Sequence, residues 1–136
     1  MLKPSEISID NQNRINYLFD NQEFDLPDLE RPDCHKLKDH NYKSVYGRMY
    51  ADQPAPTITT GFQSPGRGRF IHPTERRGLT PREGARIQGF PDSFRWSGIG
   101  LNLTKNKVTR LIGDAVPPNL GMFVTLAAID LMSDGF

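Results

Sequence analysis

The chain has 136 residues and a mass of 15.4 kDa, enough for one domain with a modest core but too short for a two-lobed enzyme with its own cofactor domain. Its 12 glycines and 11 prolines indicate short elements joined by many turns, and the single Cys34 excludes an internal disulfide. No apolar run approaches the roughly 18 residues of a membrane span, and the N-terminus does not resemble a secretory signal. We therefore expect a cytoplasmic protein without a membrane partner.

The formal net charge of +1 hides a strong asymmetry along the chain. Residues 1–40 contain five basic and nine acidic side chains, whereas residues 41–110 contain twelve basic and four acidic ones. Six of the bases are arginines between Arg67 and Arg86. Such a block is typical of nucleic-acid contact, and a solvated basic face is the alternative explanation.

The first half of the chain predicts little regular structure. Residues 1–40 form an acidic segment that we expect to be weakly ordered, with one possible helix over Asn11–Asn21. The β-branched run Thr57–Thr60 predicts a short strand, and Arg69–His72 predicts the returning strand of a hairpin after a glycine-rich loop.

Helix signals are stronger in the second half. Thr80, Pro81 and Glu83 have the spacing of a capping box with proline at the first helical position. A second helix is predicted from Thr104 to Ile112, with Gly113 ending it in the left-handed conformation. Residues 119–132 predict a helix that is apolar nearly all round. The fold class expected is therefore α+β, a small mixed lobe of short strands or a hairpin and short helices, followed by a C-terminal apolar helix.

Residues that could form a self-sufficient active site are missing. The sequence has no phosphate-binding glycine loop of the common types and no HExxH zinc motif. Cys34, His35 and His40 lie in an acidic loop without a fourth ligand, so a surface loop explains them better than a metal site. We expect neither a metal nor a catalytic residue in this chain.

Two strings in the second half resemble sequence motifs of one enzyme family. The first runs from Leu79 to Phe94 and reads LTPREGARIQGFPDSF, and the second runs from Ile112 to Pro118 and reads IGDAVPP. They resemble the ninth and tenth conserved motifs of bacterial DNA cytosine-5 methyltransferases in order and spacing. Upstream, residues 42–48, 56–60 and 68–73 resemble the target-recognition domain that precedes the ninth motif. The resemblance covers residues 41–132, and the expected domains are a recognition-like lobe at 41–110 and a C-terminal part at 111–136.

The resemblance implies a fold and a division of labour. In that family a large Rossmann-like lobe holds S-adenosylmethionine and the catalytic cysteine, and a small lobe reads double-stranded DNA. This chain resembles the small lobe and the last helix. By position, Asp114, Ala115 and Val116 would line the methionine end of the cofactor, although most relatives have Asn in place of Asp114. Thr57 matches a threonine that contacts a phosphate beside the flipped base.

The arginines differ in their expected roles. Arg67 and Arg69 flank the tip of the glycine-rich loop and are the preferred candidates for reading DNA, since arginine matches the O6 and N7 edge of guanine. Arg82 and Arg86 lie four residues apart on one predicted helix, and ion pairs with Glu83 or Asp92 explain them better than base contacts.

The family's chemistry also requires parts that this sequence lacks. A Pro-Cys nucleophile, a Glu-Asn-Val motif and a Phe-x-Gly-x-Gly cofactor turn are all absent. We therefore expect the chain alone to be inactive and to need a large catalytic lobe or second subunit, with a homodimer as the other way to cover its apolar helix. The alternatives are a non-catalytic DNA-binding module and a decayed gene fragment.

Overall fold

The computed structural model describes residues 3–36, 44–96 and 103–133, and within these ranges the regular structure is mainly helical. The α-helices are α1 Ile9–Asp20, α2 Asp33–Lys36, α3 Pro81–Ile87, α4 Lys105–Asp114 and α5 Pro118–Ser133. Single turns of 3-10 helix occur at Asp28–Glu30 and Pro65–Arg67. His40, the first residues of the 42–48 segment and both chain ends lie outside the described residues.

Hydroxyl side chains fix where three of the helices begin. Ser8, Thr80 and Thr104 each have extended backbone and accept a hydrogen bond from an amide one turn into the helix. At α3 the full capping box is present, because the Glu83 carboxylate also accepts from the Thr80 amide at 2.8 Å. The predicted helices of the second half are confirmed in position to within a few residues.

Of the two hydrophobic clusters among the described residues, the larger joins α3 and α4 to the loops before them. Gly84 of α3 lies directly against Phe62, so a β-carbon at Gly84 would collide with the aromatic ring. The cluster therefore depends on a side chain being absent from this helix position. Its buried members are Met49, Ile58, Phe62, Phe70, Leu79, Ala85, Val108 and Ile112.

The smaller cluster corrects the expectation of weak order for the described part of the N-terminal segment, residues 3–36. Helix α1 spans Ile9–Asp20, and its Ile15 and Leu18 are fully buried against residues far along the chain. The cluster consists of Ile15, Leu18, Leu26, Tyr46 and Ile71. The acidic composition obscured this role, because α1 obtains its stability from these distant partners and not from its own propensity.

The predicted strands are largely wrong. Among the described residues, β-structure is limited to isolated bridges that join Ile71 to Arg48 in parallel and to Gly78 in antiparallel orientation. Thr57–Thr60 forms no strand, and none of the residues that the structure describes pairs with it as a strand. The returning segment Arg69–His72 instead pairs with the residues after it, where the Leu79 amide donates to the Phe70 carbonyl at 3.1 Å. Phe70 and Ile71 point into opposite clusters, as alternation along extended backbone requires.

Gly113 does not end α4. The helix continues through it to Asp114, and Gly113 lacks a positive φ. A β-carbon on Gly113 would lie 2.7 Å from the Thr59 carbonyl carbon, so glycine is needed here for close approach of two backbones.

Candidate functional site

Thr57 and Arg67, two of the predicted DNA contacts, are both exposed in the structure. Arg67 ends the 3-10 turn Pro65–Arg67, and its aliphatic stem passes Gly61, which has a φ of 82°. Within the described residues its guanidinium makes no hydrogen bond or ion pair. Arg67 is therefore available to an external anion.

Among the described residues, Arg67 lines a cleft with a volume of about 550 Å³. Its walls come from the start of α1, the 60–67 loop and α4, and Arg110 of α4 is a second cation in it. Glu6 is the one acidic side chain in the lining, and the remaining positions are mostly hydroxyl and amide groups such as Ser8 and Thr60. The cleft thus has polar side chains from three separate elements and a cation on two of them, the 60–67 loop and α4.

Arg69, the third predicted DNA contact, has a different environment. Its guanidinium donates to the backbone carbonyls of Phe24 and Arg48, both at 3.0 Å, and to the Asp25 carboxylate at 2.5 Å. Only 17% of the side chain is exposed. The structure therefore places Arg69 inward, where it fastens the loop to the N-terminal segment, and does not bring it together with Arg67.

Arg69 belongs to a continuous stack of guanidinium and aromatic groups. The rings of Phe24 and Tyr50 are stacked with centroids 4.4 Å apart, and the Arg69 guanidinium lies over Tyr50 at 5.0 Å. Arg48 lies between the rings of Phe24 and Phe19, at 5.0 Å and 4.0 Å from their centroids. Each contact between a guanidinium and an aromatic ring stabilises the fold by about 0.5–1 kcal/mol at exposed sites. The stack joins Phe19 and Phe24 of the N-terminal segment to three residues of the 41–110 region, which are Arg48, Tyr50 and Arg69.

The three predicted cofactor-side residues are consecutive at the end of α4. Asp114 and Val116 are exposed and Ala115 is half-buried. The Asp114 carboxylate lies 3.5 Å from the Arg110 guanidinium one helical turn earlier. The segment therefore presents an anion and a cation next to each other at the surface.

A buried glutamine, which the sequence did not single out, holds this segment. Gln88 follows α3 and is 5% exposed, and its side-chain amide donates to the carbonyl of Ile112 at 2.9 Å and of Ala115 at 3.1 Å. The first string of the resemblance is thus hydrogen-bonded directly to the second. No local sequence signal marks this, because the partners are 24 and 27 residues away.

A cluster of charges surrounds the start of α3. Arg77 forms two parallel hydrogen bonds to the Glu83 carboxylate, at 2.7 and 2.8 Å, and its Nε donates to Glu75 at 2.8 Å. Burial alone would raise the pKa of Glu83, but the hydrogen bonds from Arg77 and from Thr80 outweigh it and lower that pKa to about 2. The cluster is therefore a fixed ionic support for α3.

Arg82 and Arg86 make the ion pairs predicted for them. Arg86 binds the Asp92 carboxylate through two hydrogen bonds of 2.7 and 2.8 Å, and Arg82 lies 3.4 Å from the same carboxylate. The hydrogen bond from Arg86 lowers the pKa of Asp92. Both arginines thus brace the turn after α3.

Helix α5 has no buried residue among its 16 positions. Phe123 is 67% exposed and Leu131 76%. The stretch Lys105–Ser133 is long and apolar enough to cross a membrane by length and composition alone. However, the helix is interrupted at residues 115–117, and α5 by itself is shorter than the roughly 20 residues that a span needs.

The candidate metal residues do not gather into a site in the described part of the chain. Cys34 is an exposed free thiol on α2, and no group of three His, Cys, Asp or Glu side chains there could hold a metal ion. His40, the third member of that candidate, falls in a range that the structure leaves undescribed.

Comparison with known proteins identifies the family. Residues 3–129 match the family of C-5 cytosine-specific DNA methylases, and the chain belongs to it. It is 54% identical over 122 residues to the type II methyltransferase M1.BsuMI of Bacillus subtilis and 44% identical over 101 residues to the type II methylase M.HgiDII of Herpetosiphon aurantiacus. These matches cover 90% and 74% of this chain.

The lengths of the relatives differ greatly. The chain spans 28% of the length of both M1.BsuMI and M.HgiDII. It is also 38% identical over 100 residues to the type II methyltransferase M.AquIB of Picosynechococcus, and that match covers 68% of each chain. M.AquIB and this chain are therefore of similar length.

Proposed function

We propose that this chain is the DNA-recognition and cofactor-wall part of an S-adenosylmethionine-dependent DNA cytosine-5 methyltransferase of the bacterial cytoplasm, and that it works only with a large catalytic lobe. That lobe is either the remainder of a longer protein or a second subunit. Within the α+β small lobe expected for such an enzyme, residues 41–110 read DNA and residues 111–136 return to the large lobe. The large lobe supplies the nucleophile and most of the cofactor site.

The complete exposure of α5 is the observation that carries this proposal. A helix that is apolar on all sides is stable in water only when other surfaces cover it. Covering one exposed side chain of leucine or phenylalanine size stabilises the covered state by about 1.5–3 kcal/mol. Helix α5 presents eight large apolar side chains. They are Leu120, Met122, Phe123, Val124, Leu126, Ile129, Leu131 and Met132. A large lobe that lacks its own last helix is the natural cover.

The DNA side is formed by Thr57 and Arg67. Both are exposed, and the Arg67 guanidinium can reach a phosphate or a base edge without breaking an internal bond. Arg69 supports the same loop from behind, since its donors are already bonded to Phe24, Arg48 and Asp25. We therefore assign DNA contact to Thr57 and Arg67 and a supporting role to Arg69.

The residues of the cofactor side fit the group that the family uses. S-adenosylmethionine ends in an amino acid with one ammonium and one carboxylate, and it supplies the methyl group that is transferred. The neighbouring Asp114 carboxylate and Arg110 guanidinium match that pair of charges. Ala115 and Val116 add small apolar surface beside them.

Reconstitution tests the proposal. The large part of M1.BsuMI outside the matched 122 residues is expressed alone, and the full present chain is added in trans with S-adenosylmethionine and duplex DNA. Methylated cytosine is expected only in the mixture. Turnover by the present chain alone would contradict the proposal, as would salt-dependent DNA binding that the large part leaves unchanged, which is the behaviour of a non-catalytic DNA-binding module.

A further inference from the structure

Gln88 and Gly89 lie together at the point where α3, α4 and α5 meet. Gln88 is buried and bonded to two carbonyls, of Ile112 and Ala115. Gly89 has a φ of 83°, and a β-carbon there would be 3.5 Å from Cδ of Pro118, the first residue of α5. This dipeptide therefore touches both ends of the link between α4 and α5.

The carbonyls that Gln88 binds lie at the end of a helix, where the backbone offers few donors, and that of Ile112 also accepts from the Ala115 amide at 3.3 Å. The last carbonyls of an α-helix find no donor amide within the helix, and leaving a buried carbonyl without a donor is costly. A side-chain amide has two hydrogens and so can serve two carbonyls at once. The two bonds lie on either side of Asp114, and they fix the backbone of the turn from which residues 114–116 project.

A second contact holds the chain immediately before this turn. Gly113 packs against the backbone of Thr59 and Thr60, with room for no side chain between them. The turn is thus held between Gln88, which follows α3, and the backbone of Thr59 and Thr60. Neither support comes from α4 itself.

We propose that Gln88 is a positioning residue for the cofactor-side turn, holding residues 114–116 in the geometry that receives the methionine end of S-adenosylmethionine. This inference rests on the proposed function, because it assumes that the turn faces the cofactor. Gln88 touches no reacting atom and acts only through the backbone of the turn.

Two substitutions separate this role from general stability. Gln88→Met keeps the length of the side chain and removes both donors. Gln88→Glu keeps the shape but places a carboxylate against two carbonyl oxygens, and its protonated form regains one donor. Because burial raises the pKa of a carboxyl group, the Gln88→Glu variant is expected to regain one of the two hydrogen bonds to the turn as the pH falls.

Gln63 provides a matched control. It is also a buried glutamine, at 8% exposed, but its amide nitrogen has no hydrogen-bond partner among the described residues. Gln63→Met therefore removes an amide of equal size without removing a bond to the turn.

The first measurement is amide hydrogen exchange on the full chain. In Gln88→Met, exchange at residues 113–116 is expected to accelerate about tenfold or more, since two hydrogen bonds are lost. Amides held by the capping box of α3 are expected to keep their protection, and Gln63→Met is expected to leave residues 113–116 unchanged. Unaltered exchange at these residues in Gln88→Met would overturn the proposal.

The second measurement uses the reconstituted enzyme. Gln88→Met is expected to raise KM for S-adenosylmethionine about tenfold while kcat changes less than about twofold. The Gln88→Glu variant is expected to show a KM that falls toward the wild-type value at lower pH. Equal losses of kcat and DNA binding with an unchanged KM would overturn the positioning role. If the wild-type mixture fails to methylate DNA, the proposed function fails, and the exchange result still decides whether Gln88 holds the turn.

Discussion

The backbone nitrogen of Thr60 lies only 2.5 Å from where a β-carbon on Gly113 would be. Gly113 is inside α4, and Thr60 is in the segment that begins with the candidate phosphate contact Thr57. The helix and the segment therefore touch backbone to backbone. Any movement of one must shift the other, because packed backbones have no flexible side chain between them to absorb it.

Gly113→Ala is accordingly expected to be strongly destabilising. The methyl group would press on backbone atoms on both sides of the Thr59–Thr60 peptide, so a loss of about 1–3 kcal/mol or more in the free energy of unfolding is expected. Urea unfolding followed by circular dichroism measures it. Gly121 in α5 is the matched control, since a β-carbon there meets nothing within 4 Å. Gly121→Ala should be neutral or stabilising by up to about 1 kcal/mol, and equal losses in the two variants would contradict this account.

Arg67 and Arg69 are expected to respond differently to loss of charge. Arg67→Gln should leave the melting temperature unchanged but reduce the slope of log K against log salt for duplex DNA by about 0.9, the value of one phosphate contact. The assay uses the complex with the large lobe. An unchanged salt slope would show that Arg67 does not contact phosphate.

Arg69→Gln should act through stability instead. It removes the charge-assisted hydrogen bonds to Asp25 and to the backbone carbonyls of Phe24 and Arg48. A loss of about 2 kcal/mol in the free energy of unfolding is therefore expected. Chemical denaturation measures this loss. A fully stable Arg69→Gln protein with weakened DNA binding would instead restore Arg69 as a direct contact.

The Arg77–Glu83 pair predicts how stability depends on pH. The pKa of Glu83 is about 2 in the folded chain and about 4.5 when unperturbed, so the unfolded state binds its proton first as the pH falls. The stabilisation is complete above about pH 4.5 and is lost progressively down to pH 2. Glu83→Gln should therefore lower the melting temperature at pH 7 and flatten its decline between pH 4.5 and 2. If the melting temperatures of the wild-type and Glu83→Gln proteins fell in parallel with pH, the Arg77–Glu83 pair would not contribute to the pH dependence of stability.

The exposed face of α5 predicts self-association of the isolated chain. Leu126 and Ile129 are each more than half exposed and three residues apart. Replacing both with glutamine should convert associated species to monomer in analytical ultracentrifugation and prevent assembly with the large lobe. Thr125→Ser is the control, because it keeps the hydroxyl that donates to the Gly121 carbonyl at 2.8 Å. A wild-type chain that is monomeric at all concentrations tested would contradict the prediction.

Local signals predicted the helices well, and contacts between distant residues explain the errors. Thr80 and Glu83 are three residues apart, so the capping box could be recognised without knowledge of the fold. Arg67 and Arg69 have nearly the same sequence surroundings, yet only Arg69 faces inward, toward an aspartate 44 residues earlier. No pattern within the loop distinguishes the two arginines.

Glycine and glutamine show the same limit. Gly113 suggested a helix end by local rules, but its role is to admit the backbone of Thr60. Gln88 has no distinguishing neighbours, and its importance comes from carbonyls of a different helix. Apolar residues of α1 were visible in the sequence, but their burial depends on Tyr46 and Ile71.

The guanidinium and aromatic stack has a practical consequence for making chimeras. Phe19 and Phe24 interleave with Arg48 and Tyr50, so residues of the 41–110 region rest on side chains from the acidic start of the chain. A graft that exchanged only residues 41–110 with those of a relative would pair foreign loops with the original rings. Transplants that begin at the Ser8 cap would carry the whole stack along and should fold where the shorter exchange does not.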